Sequence, residues 1–297
     1  MAIQGLTEEE FFVAGHRACA GCGPAIALRL FTKAAGKNTV LCESTGCMEV
    51  VSSPYPETAW NLPWIHMAFE NAAAVASGIA AALKRQKREH INVIAFAGDG
   101  SSFDIGFQAI SGVFERGDNI TYICYDNEAY MNTGIQRSGA TPYGASTTTS
   151  PAGKMSIGKT EWKKDLPHII AAHGAPYVAT ASIGYPADFV RKVKKALEVK
   201  GPTFVHVLAC CPTGWRCDTA KTVEISKLAV ECGVFPLYEI VNGKHILNRP
   251  KEIKKPVRDY LKMQGRFKHL KDEDIKYIEE NVKARFELLK KYVESGL

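Results

Sequence analysis

The sequence predicts an α/β fold with a doubly wound, mostly parallel sheet and a C-terminal helical extension. Three observations support this: short apolar runs with the character of buried strands, helical stretches between them, and a charged helical pattern near the end of the chain. Strands buried on both faces read as continuous apolar runs, and their alternation with helices is typical of a parallel sheet. We expect one α/β domain over residues 1–235 and the helical extension over residues 236–297.

Five apolar runs are the predicted strands, because each is rich in β-branched or aromatic residues or is bounded by Gly, Pro or Asp. In chain order they are residues 39–42, 91–97, 120–125, 177–181 and 203–209. The helices predicted between them are residues 25–35, 70–86, 103–116 and 186–199.

Two further segments have a distinct character. Residues 142–164 are rich in Thr, Ser, Gly and Ala and lack periodicity, so we predict a long surface loop, a type of segment that is often functional. Near the end of the chain, apolar residues recur at helical spacing, which predicts a packed amphipathic helix. They are Ile275, Ile278, Val282, Phe286 and Leu289.

Composition excludes several classes of protein. Of 297 residues, 46% are hydrophobic and 23% are charged, which argues against a disordered chain and against a membrane protein. Residues 1–10 have neither a basic nor an apolar run of the kind found in signal peptides, so we expect a cytoplasmic protein.

The net charge is +6, and residues 248–297 alone hold 14 Lys and Arg against 9 Asp and Glu. We interpret this excess as a solvated helical surface, with docking of an acidic partner as the alternative. We do not expect nucleic acid as a partner, because the sequence has no basic stripe with interleaved aromatic residues and no nucleic-acid-binding motif.

The most informative stretch is a predicted strand that runs into Gly98-Asp99-Gly100 and then into a helix. Ser101 and Asp104 have the spacing of a capping box, which marks a helix start. N–H groups at a helix N-terminus bind phosphate oxygens, and in open α/β sheets ligands bind at the carboxyl ends of the strands. Gly-Asp-Gly by itself is more often only a tight turn, so the neighbouring motifs decide its meaning.

A second oxygen-rich turn, residues 126–129, follows the next predicted strand. The intervening residues 101–126 are enough for one helix and one strand, so the chain returns to the same edge of the sheet. A carboxylate beside a diphosphate favours Mg2+, which takes oxygen ligands in an octahedron. We therefore expect Asp99, the side-chain oxygen of Asn127 and the carbonyl oxygen of Ala129 to bind Mg2+.

Nine cysteines are many for a chain without an export signal, and an odd number argues against a disulfide framework. Cys19 and Cys22 form a Cys-x-x-Cys pair before a predicted helix, a pattern that is ambiguous between zinc, a redox disulfide and an iron–sulfur ligand pair. Cys47 and Cys211 each follow a predicted strand. Four thiolates from loops at one sheet edge suit a cuboidal iron–sulfur cluster.

Several segments spread over most of the chain match one known pattern. They are residues 16–24, 43–47, 98–100, 130–136 with 140–144, 211–215 and 265–270. Together they resemble the β subunit of pyruvate:ferredoxin oxidoreductase (pyruvate synthase) and its relatives in the 2-oxoacid:ferredoxin oxidoreductase family. The resemblance implies a sheet of the thiamine diphosphate-binding type, with thiamine diphosphate, Mg2+ and a [4Fe-4S] cluster as cofactors.

The resemblance assigns the cluster ligands residue by residue. They are Cys19, Cys22, Cys47 and Cys211. For the fourth ligand, Cys210, Cys211 and Cys217 are all candidates. The family pattern selects Cys211 because it directly precedes a Pro-x-Gly-Trp run, but Cys210 stands where relatives often have Pro, so an exchange of ligands stays open. Buried structural roles are expected for the cysteines in apolar or unmarked contexts, which are Cys42, Cys124 and Cys232.

The resemblance also implies which residues contact thiamine diphosphate. Asn132 is expected to be the catalytic residue, pointing at the thiazolium carbon and the bound 2-oxoacid. The other expected contacts are Gly21, Cys22, Gly23, Glu43, Ser44, Thr45, Gly98, Asp99, Gly100, Ser101, Ser102, Asn127, Ala129, Tyr130, Met131 and Thr133. Ser101 and Ser102 are expected to donate backbone N–H groups to the diphosphate.

The implied reaction is CoA-dependent oxidative decarboxylation of a 2-oxoacid, with pyruvate preferred, or its reverse. Because this chain holds one thiamine domain, we expect an α subunit, together with a γ subunit, to complete the site. The chain lacks a ferredoxin-type cysteine run, so a δ-type ferredoxin-like subunit is expected to pass electrons to external ferredoxin.

Three alternatives stay open. A related enzyme would act on another 2-oxoacid or on oxalate. A non-redox thiamine lyase would hold structural zinc on the cysteines. A non-catalytic subunit would bind metal or serve assembly.

Overall fold

The structure, a computed structural model, describes residues 5–296. Its strands are β1 (Thr39–Ser44), β2 (Trp64–Met67), β3 (Asn92–Gly98), β4 (Thr121–Asp126), β5 (Ala152–Gly153), β6 (Ser156–Ile157), β7 (Tyr177–Ser182), β8 (Thr203–Leu208), β9 (Leu237–Val241) and β10 (Lys244–Arg249). The α-helices are α1 (Gly23–Ala35), α2 (Cys47–Ser52), α3 (Ala72–Arg85), α4 (Phe107–Arg116), α5 (Leu166–Ala171), α6 (Pro186–Glu198), α7 (Pro212–Trp215), α8 (Thr222–Glu231), α9 (Val257–Lys262) and α10 (Asp272–Ser295). A π-helix spans Gly100–Ile105, and 3-10 turns span Thr219–Lys221 and Gly265–Phe267.

Eight strands form one sheet in the order β10-β9-β7-β8-β4-β3-β1-β2. The six strands from β7 to β2 in that order run parallel, while β9 is antiparallel to β7 and β10 is antiparallel to β9. The predicted doubly wound, mostly parallel sheet is therefore confirmed. All five predicted strands and the predicted helices at 25–35, 70–86 and 186–199 are present, with ends that differ by a few residues.

Helices cover both faces of the sheet because its strands are apolar on both sides. In β3, Ile94 and Phe96 pack on one face with α1 and α6, while Val93 and Ala95 pack on the other face with α3, α4, α5 and α10. Successive side chains of a strand point to opposite faces, so a continuous apolar run supplies both cores. Because helices cover the two faces, a ligand site is expected among the loops that follow the carboxyl ends of the parallel strands.

The predicted C-terminal extension is helical only from Val257 onward. Before that point, β9 and β10 form a hairpin that adds two antiparallel strands to the main sheet. Their connection is Asn242-Gly243, with φ of 48° and 81°, the backbone form of a two-residue type I′ turn. The segment 236–297 is thus not helical throughout, and the domain boundary at residue 235 stays a prediction. The apolar stripe on α10 is buried as predicted.

The prediction of a surface loop at 142–164 is wrong in part. The segment contains only the short β5–β6 pair, but Thr147 and Lys159 within it are buried. The ammonium of Lys159 donates to the carbonyl of Thr141 at 2.6 Å, which fastens the loop to the chain that precedes it. Over the described range 5–296, no helix combines the length and the apolar character that a membrane span requires.

Candidate active site

Loops from β1, β3, β4 and β8 meet at the carboxyl edge of the sheet and enclose two adjoining cavities. The first, the aspartate cavity, is lined by predicted residues from three of these loops: Thr45, Gly98, Asp99, Gly100, Asn127, Ala129, Tyr130, Met131, Asn132 and Thr133. The second, the cysteine cavity, is lined by Cys19, Cys22, Cys47 and Cys211 together with their neighbours. Both cavities are lined by Cys47, Asn127, Met131 and Asn132. The two predicted sites are therefore neighbours that share a wall.

Oxygen atoms converge in the aspartate cavity. One terminal atom of the Asn127 side-chain amide lies 2.9 Å from Oδ1 of Asp99 and 2.9 Å from the carbonyl oxygen of Ala129. The other carboxylate oxygen of Asp99 accepts a 2.5 Å hydrogen bond from the hydroxyl of Ser138. If this atom is the amide nitrogen, it donates hydrogen bonds to both oxygens. If it is the amide oxygen, the three oxygens together can surround a cation.

The charge of Asp99 is poorly compensated. Burial raises the pKa of this carboxyl well above its usual range, and the negative charge of Asp126 raises it further. Asp126 behaves in the opposite way: burial opposes its ionisation, but Lys163 and His206 outweigh it and hold its pKa at about 2. Asp126 is thus a paired anion, whereas Asp99 needs positive charge to stay ionised.

The turn after Asp99 differs from the predicted capping box. Residues Gly100–Ile105 form a π-helix, and the Ser101 hydroxyl donates to the carbonyl of Phe69 at 2.7 Å instead of capping the helix. The Asp104 carboxylate accepts from the backbone N–H of Gly139 and from the ammonium of Lys164. The Ser102 hydroxyl donates to the carbonyl of Gly98 at 2.8 Å. Both serine hydroxyls therefore donate to backbone carbonyls of this chain. Only the backbone N–H groups of Ser101 and Ser102 are left for the predicted contacts with the diphosphate.

Close packing explains why glycine stands at several predicted positions. A Cβ on Gly100 would lie 2.5 Å from the ring of Tyr130, so the strand end has no room for a side chain. Gly21, at φ of 71°, packs against the carbonyl of Thr219, and Gly23 packs against the backbone of Cys210. Gly21 and Gly23 are not among the lining residues of either cavity. Their packing brings the Cys-x-x-Cys loop beside the loop after β8, while their expected contact with thiamine stays a prediction.

The cysteine cavity is surrounded by thiols. Burial raises the pKa values of Cys22 and Cys47 to about 12, and burial also raises that of Cys211. The backbone N–H of Gly214 donates to the sulfur of Cys211 at 3.3 Å. Residues 5–296 include no group of three or more His, Cys, Asp or Glu side chains arranged to hold a metal ion. Thiols that surround a cavity suit a multi-iron cluster better than a single ion, because each thiolate of a cubane binds a different iron.

Cys210 and Cys217 face each other instead of this cavity. Their sulfur atoms are 3.7 Å apart, and Cys210 is fully buried. Neither is among the residues that line the cysteine cavity, whereas Cys211 is. The geometry therefore favours Cys211 among the three candidate fourth ligands. Cys42, Cys124 and Cys232 are buried, as predicted.

Glu43 and Ser44 are the last two residues of β1, and both are buried in the interior. One Glu43 oxygen accepts a 2.8 Å hydrogen bond from the Trp64 indole, while the other and the Ser44 hydroxyl are buried with no hydrogen-bond partner. Burial raises the pKa of Glu43 well above its usual range. Neither residue is among those that line the two cavities, so their expected contacts with thiamine stay predictions. Thr45 does line the aspartate cavity, and its hydroxyl lies 2.8 Å from Nε2 of His66.

Sequence reasoning missed several residues at this edge. Ser138 contacts Asp99 from a turn without any local motif, and Phe69 and Tyr125 contribute to the wall of the aspartate cavity. His206, 2.6 Å from the Asp126 carboxylate, had a usable signal: it is a titratable residue with apolar neighbours on both sides in a buried strand.

Comparison with known proteins adds an independent line of evidence. Residues 44–207, more than half of the chain, match the family described as the thiamine pyrophosphate enzyme, C-terminal TPP binding domain. Pyruvate synthase subunit PorB of Methanocaldococcus jannaschii is 57% identical over 296 residues, which covers 97% of this chain and 99% of that protein. Ketoisovalerate oxidoreductase subunit VorB of Pyrococcus abyssi is 49% identical, over 96% of this chain and 94% of that protein.

A solved structure shares the fold. It is a 2-oxoglutarate:ferredoxin oxidoreductase from Magnetococcus marinus with 2-oxoglutarate, coenzyme A and succinyl-CoA bound. The TM-score is 0.58 at 23% identity, over 76% of this chain and 83% of that chain. Sequence identity over nearly the full length, together with the matched binding domain, shows the family. The chain belongs to the β subunits of the 2-oxoacid:ferredoxin oxidoreductase family, which include pyruvate synthase subunit PorB, and it carries a thiamine pyrophosphate-binding domain.

Proposed function

We propose that this chain is the β subunit of a pyruvate:ferredoxin oxidoreductase, which catalyses CoA-dependent oxidative decarboxylation of pyruvate or the reverse reaction. The observation that carries the proposal is the shared wall between the aspartate and cysteine cavities, with Asn132 in both linings. A cluster held by this chain would accept electrons one at a time from the thiamine site only if the two sites lay close together. Adjoining cavities with oxygen ligands in one and thiols in the other meet this requirement.

A magnesium ion fits the oxygen atoms of the aspartate cavity. Mg–O bonds of about 2.0–2.1 Å put adjacent corners of an octahedron about 2.9 Å apart. The Asn127 amide atom lies at that distance from both Asp99 Oδ1 and the Ala129 carbonyl oxygen. A cation here would also supply the positive charge that the buried Asp99 needs to stay ionised. Asp99, Asn127 and Ala129 are therefore the proposed protein ligands of Mg2+.

An iron–sulfur cluster fits the chemistry of the cysteine cavity. Cys19, Cys22, Cys47 and Cys211 are free cysteines in the chain and line one space. Thiols with pKa values as high as about 12 stay protonated at neutral pH unless metal binding stabilises the thiolate. Irons would supply this stabilisation, and the N–H of Gly214 at the sulfur of Cys211 would assist it.

Bound thiamine diphosphate supplies an electron sink for decarboxylation of a 2-oxoacid. On this chain, Gly98, Asp99 and Gly100 offer the strand end at which the diphosphate and its cation would be held. Tyr130 and Met131 line the aspartate cavity, and the Tyr130 ring is stacked on Phe69 with 5.7 Å between ring centres. Asn132, at the junction of the cavities, is the proposed residue that orients the substrate.

The proposed assembly contains further subunits. An α subunit, together with γ, would supply most substrate contacts and a Glu whose carboxylate activates the aminopyrimidine ring of thiamine. A δ-type ferredoxin-like subunit would pass electrons to external ferredoxin. The relatives named above are themselves described as subunits, which supports an assembly of several chains.

The basic excess over residues 248–297 is a proposed docking surface for an acidic partner. The proposed location is the cytoplasm.

A second candidate substrate is a branched 2-oxoacid, because the ketoisovalerate relative is 49% identical over nearly the full length. The test is an anaerobic assay of the complete complex, with pyruvate, 2-oxoisovalerate and 2-oxoglutarate as substrates, CoA present and ferredoxin reduction as the readout. We expect pyruvate to give the highest kcat/KM. A higher value with the branched substrate would move the assignment to the second candidate, and reduction with none of the three would contradict the proposed function.

A further inference from the structure

Arg266 is a buried cation that lies outside both cavities. It is 2% exposed, and one of its terminal nitrogens donates to the Glu128 carboxylate at 2.5 Å. The guanidinium also donates to the side-chain oxygen of Gln264 and lies 4.0 Å from the centre of the Trp215 ring. Burying a charge is costly unless it is paired and hydrogen-bonded, so a guanidinium with all of these partners is held in one position.

Glu128 connects Arg266 to the turn that carries the proposed oxygen ligands. It stands between Asn127 and Ala129 and has a left-handed backbone with φ of 68°. Its second carboxylate oxygen accepts from the ammonium of Lys163 at 2.8 Å, and its carbonyl accepts from the hydroxyl of Thr141 at 2.7 Å. Such a backbone conformation in a residue other than glycine persists only where surrounding contacts hold it.

Trp215 connects the same cation to the proposed cluster loop. Its indole N–H donates to the carbonyl of Asn127 at 2.8 Å, and its ring is fully buried under Arg266. Trp215 is the last residue of α7, the short helix that begins immediately after Cys211. These contacts therefore form one closed loop. It runs from Asn127 through the peptide bond to Glu128, through the ion pair to Arg266, through stacking to Trp215, and through the indole hydrogen bond back to Asn127.

We propose that Arg266, Trp215 and Glu128 are positioning residues that fix the oxygen-bearing turn 127–129 against Cys211 and the helix α7 that follows it. The inference rests on the proposed function, since it needs a metal at Asp99 and a cluster at Cys211. None of the three is among the residues that line the cavities, so they act through Asn127 and Cys211. The metal affinity of one site and the potential of the other then depend on the same three contacts.

The test uses the anaerobically purified complex with its partner subunits. Mn2+ is titrated in the presence of thiamine diphosphate and followed by EPR, and the midpoint potential of the cluster is measured in the same preparation. Trp215→Phe keeps an aromatic face for Arg266 but removes the N–H donor to Asn127. The loss of one hydrogen bond should weaken Mn2+ binding by about fivefold to tenfold and shift the cluster potential, with iron content unchanged.

Substitutions of the cation provide a graded series. Arg266→Lys keeps the charge without the planar stack, so it should restore part of the Mn2+ affinity that Arg266→Met loses. Should Arg266→Met not yield folded complex, Glu128→Gln/Arg266→Met removes both charges together and should weaken Mn2+ binding as Trp215→Phe does. The matched control is Arg216→Met, which removes an exposed cation next to Trp215 and should leave both quantities unchanged.

The positioning role would be overturned if Trp215→Phe kept either the wild-type Mn2+ affinity or the wild-type cluster potential. A residue with only a structural role would change the stability of the protein and leave the Mn2+ affinity and the cluster potential unchanged. A wild-type complex that binds neither Mn2+ with thiamine diphosphate nor iron would overturn the proposed function instead.

Discussion

The side-chain amide of Asn127 lies 2.9 Å from the carboxylate of Asp99, across the ends of two neighbouring parallel strands. The same amide atom lies 2.9 Å from the carbonyl oxygen of Ala129. Register brings these groups together, because Gly98, directly before Asp99, pairs with Tyr125, two residues before Asn127. A motif spread over two strand ends thus becomes one cluster of oxygens.

Asp99→Asn should abolish divalent metal binding while the cysteine site stays intact. Supporting residues around metal sites contribute about 10- to 100-fold to affinity, so loss of a charged ligand should cost more than about 100-fold in the Mn2+ dissociation constant. Iron content should be unchanged. The matched control is Asp118→Asn, which alters an aspartate paired with Arg116 away from the cavity. Equal Mn2+ affinity in Asp99→Asn and the wild type would show that the cation is bound elsewhere.

Ser138→Ala should weaken the same site to a smaller extent. The Ser138 hydroxyl donates to Asp99 and so orients the carboxylate toward Asn127. We expect a loss of about 10- to 100-fold in Mn2+ affinity, the usual effect of removing such a support. Isothermal titration with Mn2+ and thiamine diphosphate measures it. Ser156→Ala, on the β5–β6 pair, is the control, and a loss of equal size in that variant would contradict the assignment.

Cysteine substitutions distinguish the fourth cluster ligand. Cys211→Ser should lose iron and acid-labile sulfide, because Cys211 lines the cavity with the other three proposed ligands. Cys210→Ser and Cys217→Ser should retain both, since these two sulfurs contact each other at 3.7 Å. Full cluster content in Cys211→Ser, with loss in Cys210→Ser, would reverse the assignment.

Acid should destabilise the protein partly through Glu239, a buried residue of β9. Burial opposes its ionisation, but Lys195 and Arg191 outweigh this and lower its pKa from 4.5 to about 2. A depressed carboxyl pKa stabilises the fold above pH 4.5, and this contribution is lost as pH falls through 4.5 toward about 2. Glu239→Gln should therefore lower the free energy of unfolding at pH 7 by about 1–2 kcal/mol, because solvent screens the partly exposed Lys195 and Arg191, and it should flatten this pH dependence. Urea unfolding at pH 7 and at pH 4 measures both effects, and an unchanged free energy at pH 7 would contradict the account.

The sheet was predictable because its signals are local. Apolar runs such as 91–97 are long enough to supply both faces of a central strand, and the structure has a strand there. The hairpin of β9 and β10 was missed although Asn242-Gly243 is a strong hairpin signal, because the apolar pattern around it is less regular than in the parallel strands. The short edge strand β2, over Trp64–Met67, has only four residues and carries little pattern.

The candidate site was predictable where its residues follow strand ends. Asp99, Asn127 and Cys47 are fixed to the sheet edge by the strands before them, so their proximity follows from topology. Ser138 and Lys163 come from loops, and Arg266 comes from a 3-10 turn near the end of the chain. No local pattern indicates which strand end these residues contact. The capping box at Ser101 failed because its hydroxyl found a partner in another segment, the carbonyl of Phe69.

The measurement that tests the central claim most directly is the content of iron, acid-labile sulfide and zinc in the anaerobically purified complex, compared with the Cys211→Ser variant. The account predicts about four irons and four sulfides attributable to this chain, as a cubane on four thiolates requires, and their loss in the variant. Zinc without sulfide on this chain would contradict it, because electrons from the thiamine site would then have no acceptor in the adjoining cavity.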